Sequence, residues 1–482
     1  MTDSPHAPSE TPQHERPRPA MKGDLTQGPI LPTLLKFSVP MLIGNLLQTL
    51  NGTINSIWVG RLLGENALAA TANANIMMFL MFAAVFGFSM ASAVRIGHAF
   101  GARDFAGARA SFGAGLAVAL WLAALAGFAG WLGGDRLLHL LSTPAESRVE
   151  ALAYLSVIFL AMPLSALTIA LSSALRAVGD AKGPFRALLA TVLLDVAFNP
   201  LLIRGFGPIP AFGIAGSAMA TALANLIGLF LLLRTLNAPE SVLRLSGAHR
   251  TWLRPEREQL AYIITKGLPM GAQMLLISTA GIIFMGLVNR EGVASAAAFG
   301  ASLQLWNYLQ MPALAISAAV SAMVAQNIGA RLFGRVGQIT LVGIAACLVV
   351  TGVGAALIIL FDRPLLGLFL KVDGPTMAVA RHIQLICTWP YMLTGVVMIL
   401  TGTMRAYGAV MRPLLVMFTS MYVVRLGFYF IALPWLKGDT VWWSTPFSSV
   451  IGMVLMVVAY RTMPPPQAPA AAEPEAAKPL PA

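Results

Sequence analysis

Of the 482 residues, 57% are hydrophobic and 11% charged, with a net charge of +12 and a mean hydropathy of +0.74. A soluble protein carries about 25% charged residues, so this composition excludes an ordinary soluble enzyme and reads as a chain embedded in lipid. The basic excess forms no patch or tract, which excludes a nucleic-acid partner; in a membrane protein, Lys and Arg orient the helices.

Residues 1–32 are polar and Pro-rich and lack the apolar core of a signal peptide, so a disordered tail is expected there. Twelve apolar stretches follow, at 34–60, 69–94, 111–133, 151–175, 186–204, 214–235, 266–289, 296–322, 337–361, 382–404, 414–434 and 445–460. Each is a candidate membrane crossing. A second low-complexity tail, 462–482, closes the chain. Twelve crossings put both tails on one side. The loops on that side hold 22 of the 32 Lys and Arg and the opposite loops 9, which predicts cytoplasmic termini in a plasma (inner) membrane.

The remaining basic residue, Arg425, lies inside a span. Cys347 and Cys387 also lie inside apolar stretches, with neither disulfide nor metal spacing. The six His fall in tails or near span ends, and no catalytic constellation is visible within the membrane, so no enzyme is expected.

Three strings recur in register: KFSVPM (36–41) as KGLPM (266–270), GAR at 101–103 and 329–331, and RAVGDAKGP (176–184) as RAYGAVMRP (405–413). The predicted fold is therefore all-α, a parallel tandem repeat of two six-helix bundles. The first lobe takes 33–235 and the second 266–461, joined by a linker at 236–265. Transporters of this kind hold their substrate path between the repeats.

The fifth stretch contains Asp195, nine residues from both Arg186 and Arg204 and so near the midplane. A charge there costs at least about 2.5–3.5 kcal/mol, and it is expected to face a cavity or a partner. Thr191, Asp195 and Asn199 follow one another at helical spacing of four and share a face. Asn55 lies at similar depth, and Ser217 and Thr221 add neutral oxygens from the sixth stretch. Because low dielectric penalises the charged form, Asp195 is a candidate to load and release a proton as the cavity wets and dries. The alternative is a structural hydrogen bond to Asn55 or Thr221. Arg425 either approaches Asp195 across the cavity, selects substrates with an anionic group, or is satisfied within its own lobe beside Tyr422 or Tyr429. Pro40, Pro269 and Pro390 are candidate kinks.

This pattern, with INSIWVGRLLG (54–64), LRAVGDAKGP (175–184), NPLLIRGFG (199–207) and GIAGSAMATAL (213–223), resembles the multidrug and toxic compound extrusion (MATE) family. The resemblance implies a V-shaped antiporter that exchanges H⁺ or Na⁺ for bulky, often cationic organic compounds. Beyond that coupling ion no cofactor is implied, and a monomer in the bilayer is expected. No acidic residue stands on the seventh or tenth span, so the likeness is to the DinF-like branch, whose ion-coupling carboxylates lie on helices one and five. The ion-coupling set carried over is Asp195, Asn199, Asn55, Thr221 and Ser217. Arg425, Thr191 and Tyr422 are substrate-cavity candidates, and Pro40 matches the kink where bending is proposed to accompany protonation. The chain departs from the branch in carrying Asn55 where an Asp is usual and in reversing the Asn-then-Asp order on the fifth helix. The runner-up reading is a flippase for lipid-linked oligosaccharides, against which a single intramembrane Arg argues.

Overall fold

A computed structural model describes residues 21, 23–140, 145–208, 210–244, 256–371 and 374–464. The first lobe comprises α1 (Ile30–Leu63), α2 (Glu65–Gly101), α3 (Phe105–Leu140), α4 (Ala145–Ala177), α5 (Lys182–Arg204) and α6 (Gly213–Leu236). The second comprises α7 (Arg257–Arg290), α8 (Val293–Gly329), α9 (Phe333–Leu360), the short α10 (Asp362–Leu366), α11 (Pro375–Cys387), α12 (Pro390–Ala406), α13 (Met411–Phe418), α14 (Arg425–Leu436) and α15 (Thr440–Arg461). A π-helical turn, Thr419–Val424, joins α13 to α14.

Among the described residues, ten continuous helical stretches are long and apolar enough to cross a membrane, and α11 with α12, bent by 44° at their junction, makes an eleventh. One of the ten, Met411–Arg461, is 51 residues long, about 76 Å at 1.5 Å per residue, more than twice the hydrocarbon thickness. It reverses at Lys437, whose φ is +47°, and α14 packs back on α15. Among the described residues the crossings therefore number twelve, each overlapping one of the predicted stretches.

Backbone geometry repeats with the sequence. Three pairs of residues of positive φ lie 228 or 229 apart: Gly64 and Gly292, Arg103 and Arg331, Gly179 and Gly408. Each pair ends equivalent helices, where a left-handed residue lets the chain turn.

The lobes meet near the face where α1 begins and α15 ends, here the terminal face. At its rim, Arg95 of α2 pairs with Glu258 of α7 at 2.7 Å and lies over the Tyr262 ring at 5.0 Å. Ser111 of α3 donates to Gln259 at 3.0 Å, and His98 Nε2 is 2.8 Å from the Ala406 carbonyl oxygen of α12. Leu34 and Phe37 of α1 pack in one core with Ile316, Val320 and Ile328 of α8. Among the described residues, no hydrogen bond or ion pair joins the lobes near the opposite face, where the cores belong to one lobe or the other. The bundles thus form a V, closed at the terminal face.

The expected disordered tail at 1–32 is corrected at its inner end. Leu25 and Thr26 are 6% and 7% exposed, because the segment before α1 is a strap across the closed face. Leu25 N–H donates to Gln326 Oε1 of α8 (2.9 Å), and Gln326 Nε2 donates to the Ala177 carbonyl of the first lobe (2.8 Å). Asn327 Nδ2 donates to the Leu25 carbonyl, and Arg335 of α9 to that of Gly28. Apolar Leu25 gives the strap an anchor that its Pro-rich flank lacks. Residues 1–20 and 465–482, the rest of both expected tails, lie outside the described residues. The expected linker also differs at both ends: Leu243 is buried in the first lobe's core, α7 already starts at Arg257, and 245–255 lie outside the described residues.

Candidate functional site

Helices α5 and α6 pack closely because small residues face each other: a methyl on Gly216 would stand 2.3 Å from the Leu202 carbonyl oxygen, and one on Gly228 2.1 Å from Thr191 Oγ1. Small-residue seams of this kind let membrane helices approach. This approach carries Ser217 and Thr221 of α6 into hydrogen-bonding reach of α5, while α1 crosses α5 from the other side.

At the centre, Asp195 has no exposed surface. Its Oδ2 accepts from Asn51 Nδ2 at 2.7 Å and Asn55 Nδ2 at 2.8 Å, both of α1. Its Oδ1 accepts from Thr221 Oγ1 at 3.0 Å and Asn199 Nδ2 at 3.1 Å. Four donors on two oxygens satisfy an ionised carboxylate, which only accepts. The shell is itself tied together: Asn199 Nδ2 lies 3.1 Å from Asn55 Oδ1, and Ser217 Oγ donates to Asn199 Oδ1 at 2.7 Å. Tyr154 of α4, 9% exposed, interacts electrostatically with Asp195. Both Asn51 and Asn55 are partly exposed, so they are the lid between the carboxylate and the lobe's exterior.

Five predicted residues, Asp195, Asn199, Asn55, Ser217 and Thr221, therefore meet in one network. Thr191 shares their helix face but stands apart, its hydroxyl bonded back to the Ala187 carbonyl at 3.0 Å. A Thr hydroxyl within a helix can bond back to the carbonyl one turn before it, a nearer partner here than the carboxylate. Asn51 was missing from the sequence reading. Its signal was the spacing of four from Asn55, the same spacing that linked Asp195 to Asn199.

In the second lobe, Arg425 Nε donates to Ser448 Oγ of α15 at 3.1 Å, and the guanidinium lies over the Phe284 ring of α7 at 5.0 Å. Among the described residues no carboxylate pairs with it, so an approach to Asp195 is absent from this conformation. The Tyr422 hydroxyl donates to the Leu276 carbonyl of α7 at 3.0 Å, and its ring stacks on Phe418. That bond ties the π turn to α7. Pro40 lies within α1, which continues through it; its ring nitrogen has no hydrogen to give the carbonyl one turn before.

A family model, MatE, matches residues 40–201 and again 269–431. The chain belongs to the MatE family. Its relatives include a probable multidrug resistance protein, YoeA, of Bacillus subtilis (strain 168), 31% identical over 427 residues that cover 88% of this chain and 92% of the relative. The multidrug export protein MepA of Staphylococcus aureus (strain NCTC 8325 / PS 47) is 24% identical over 389 residues, 79% of this chain and 83% of that one. Among solved structures, a MATE in complex with MaL6 superposes with a TM-score of 0.84 at 21% identity, over 92% of this chain and 98% of that one. An outward-facing multidrug resistance MATE family transporter superposes with a TM-score of 0.80 at 22% identity, over 91% and 96%. This MatE chain is thus a multi-pass membrane transporter and not an enzyme.

Within the MatE match, the second segment is one residue longer than the first, 163 positions against 162. A π turn holds one residue more than an α turn, and the one at Thr419–Val424 accounts for it.

Proposed function

We propose that this transporter exports bulky, cationic organic compounds in exchange for protons, by alternating access between its lobes. The observation that carries the reading is the Asp195 carboxylate, buried at mid-span in the first lobe and held by four donors. The names of its relatives, a multidrug resistance protein and a multidrug export protein, support the substrate class. The 22-to-9 distribution of basic residues supports cytoplasmic termini in the plasma (inner) membrane. On that assignment the V opens outward. A lone carboxylate network, confined to the first lobe, favours the DinF-like branch, and the protein works as a monomer.

Thr221 makes proton exchange compatible with a buried carboxylate. Its hydroxyl has two acceptors, Asp195 Oδ1 at 3.0 Å and the Ser217 carbonyl at 3.3 Å. With Asp195 ionised, Thr221 donates to it. With Oδ1 protonated, the carboxylic acid donates to Thr221, whose own proton turns to Ser217. The amide nitrogens around Asp195 can only donate, so Thr221 is the member that serves both states without an amide flip. Neutralising Asp195 removes the countercharge of a bound cation and dismisses it; emptying the proton readies the site again. Sodium would need oxygen ligands, and the side chains that reach Asp195 offer it mostly N–H groups.

Thr221→Val keeps the shape and removes the relay. It is expected to slow proton-driven dye efflux about fivefold or more, the scale of a coupling of about 1 kcal/mol, while Thr221→Ser restores most of the rate. Equal rates in wild type and Thr221→Val would remove the relay from the scheme. The function itself is tested in proteoliposomes by imposing ΔpH and ΔNa⁺ separately while following a fluorescent cationic dye. Transport driven by ΔpH alone is expected; transport driven only by sodium would overturn the proton assignment.

A further inference from the structure

Arg425 occupies a position that the repeat makes significant. Counted along the helix from the paired prolines Pro40 and Pro269, Phe284 of α7 is the counterpart of Asn55 of α1. From Pro184 and Pro413, Asp195 would fall on Val424, but the extra residue of the π turn advances the register by one and brings Arg425 to that place. The contacts follow the same symmetry. In the first lobe Asp195 meets Asn55 and, from α6, Thr221. In the second, Arg425 meets Phe284 and, from α15, Ser448. One lobe holds an anion with four donors; its counterpart holds a cation whose hydrogen-bond partner is a single hydroxyl.

A guanidinium carries five N–H donors, and here only Nε has a protein acceptor among the described residues. Ser448 itself donates onward to the Thr445 carbonyl. Cys387 and Tyr391 are near enough to interact electrostatically with Arg425, and neither is an anion at neutral pH. The Tyr391 ring stacks on Trp306 at 5.3 Å. The Trp306 indole N–H donates to Thr388 at 3.0 Å and to Gln384 at 3.2 Å. Four N–H groups of this guanidinium are thus left, among the described residues, for an acceptor from outside the protein.

We propose that Arg425, with Ser448, is an anion subsite of the second lobe that takes the carboxylate of an amphoteric organic substrate. This deepens the transporter reading and rests on it: the amine of such a substrate answers to Asp195, its acid group to Arg425. The partly exposed Tyr391 supplies an apolar wall for the ring system between. A purely cationic compound uses the first lobe alone and gains nothing from Arg425.

The test compares rhodamine B, which carries a free carboxylate, with its ethyl ester, which does not. Binding to the purified full-length protein is followed by fluorescence anisotropy. Wild type is expected to bind the acid more tightly than the ester. Arg425→Gln should weaken the acid about tenfold, the worth of one charge-assisted hydrogen bond, and leave the ester unchanged. Arg425→Lys, which keeps the charge without the fork, should fall between and covers the case in which Arg425→Gln does not fold. Equal affinities for acid and ester in wild type, equal weakening of both by the substitution, or binding of neither dye would overturn the subsite. Because binding is read without a gradient, this result is independent of the efflux assay: loss of ΔpH-driven transport with the acid–ester difference intact would remove the coupling scheme and keep the subsite.

Discussion

Asp195→Asn is expected to reduce ΔpH-driven dye efflux at least about tenfold while the protein still folds. The reason lies in the donor geometry. Asn keeps one acceptor oxygen for Thr221 and Asn199 but turns an NH2 towards Asn51 and Asn55, which donate to Oδ2 in the wild type. Asn51 can answer by flipping its amide, because its own Oδ1 is buried without a partner. Asn55 is pinned by Asn199 and loses one acceptor. That leaves a cost of about 1 kcal/mol, a shift of a few degrees in Tm for a chain of this size. Asp195→Leu differs: all four donors lose the carboxylate, and Asn51 and Asn55 keep no other acceptor for Nδ2 among the described residues, at about 0.6 kcal/mol or more for each bond lost, so its melting temperature should fall visibly further. An Asp195→Asn protein that moves dye as fast as wild type under ΔpH would show the carboxylate to be structural, the alternative the sequence already allowed.

The second large effect concerns closure of the terminal face. A methyl on Gly101 of α2 would stand 1.9 Å from the Gln326 carbonyl oxygen of α8, and one on Gly329 of α8 1.9 Å from that of His98 on α2. Residues 101 and 329 are repeat equivalents, as are 98 and 326, so two helix ends cross on the pseudo-twofold axis with backbone against backbone. No side chain can move aside there. Gly101→Val should hold the lobes apart on this face. It would release the strap, whose Leu25 amide is bonded to Gln326, and it would abolish efflux, since alternating access needs both closures. Hydrogen–deuterium exchange in residues 21–29 is expected to speed up about tenfold or more, the scale of losing about 1.4 kcal/mol of closure. Gly329→Val should do the same, and the pair little more, because both break one contact. Gly281→Val, where nothing lies within 4 Å of the added carbon, is the control and should do neither. Unchanged exchange and transport in Gly101→Val would mean that this crossing does not gate the transporter.

The architecture was legible because it is written in periodic signals. Apolar runs marked the crossings, the 228–229 offset marked the two lobes, and Asp195 stood out against its apolar neighbours. Asn199, Asn55, Ser217 and Thr221 could be gathered from depth and spacing of four. What stayed hidden depends on which way a side chain turns or on geometry that carries no composition. Thr191 has the right spacing and the wrong partner, its own helix's carbonyl. Asn51 looked like any polar residue on α1 until α5 was placed against it. The π turn has no sequence signature of its own, yet by adding one residue it makes Arg425, and not Val424, the counterpart of Asp195. The strap was concealed by its setting: one buried leucine in a Pro-rich tail is too weak a pattern to read against the composition around it.

The central claim is that Asp195 exchanges a proton for substrate. It is tested most directly by adding a cationic dye to purified transporter in weakly buffered solution and reading proton release with a pH indicator. On this account the wild type gives up about one proton per dye bound, and Asp195→Asn binds dye more weakly and releases none. Proton release of the same size from Asp195→Asn, or dye binding to wild type with no release across the titrated pH range, would contradict it.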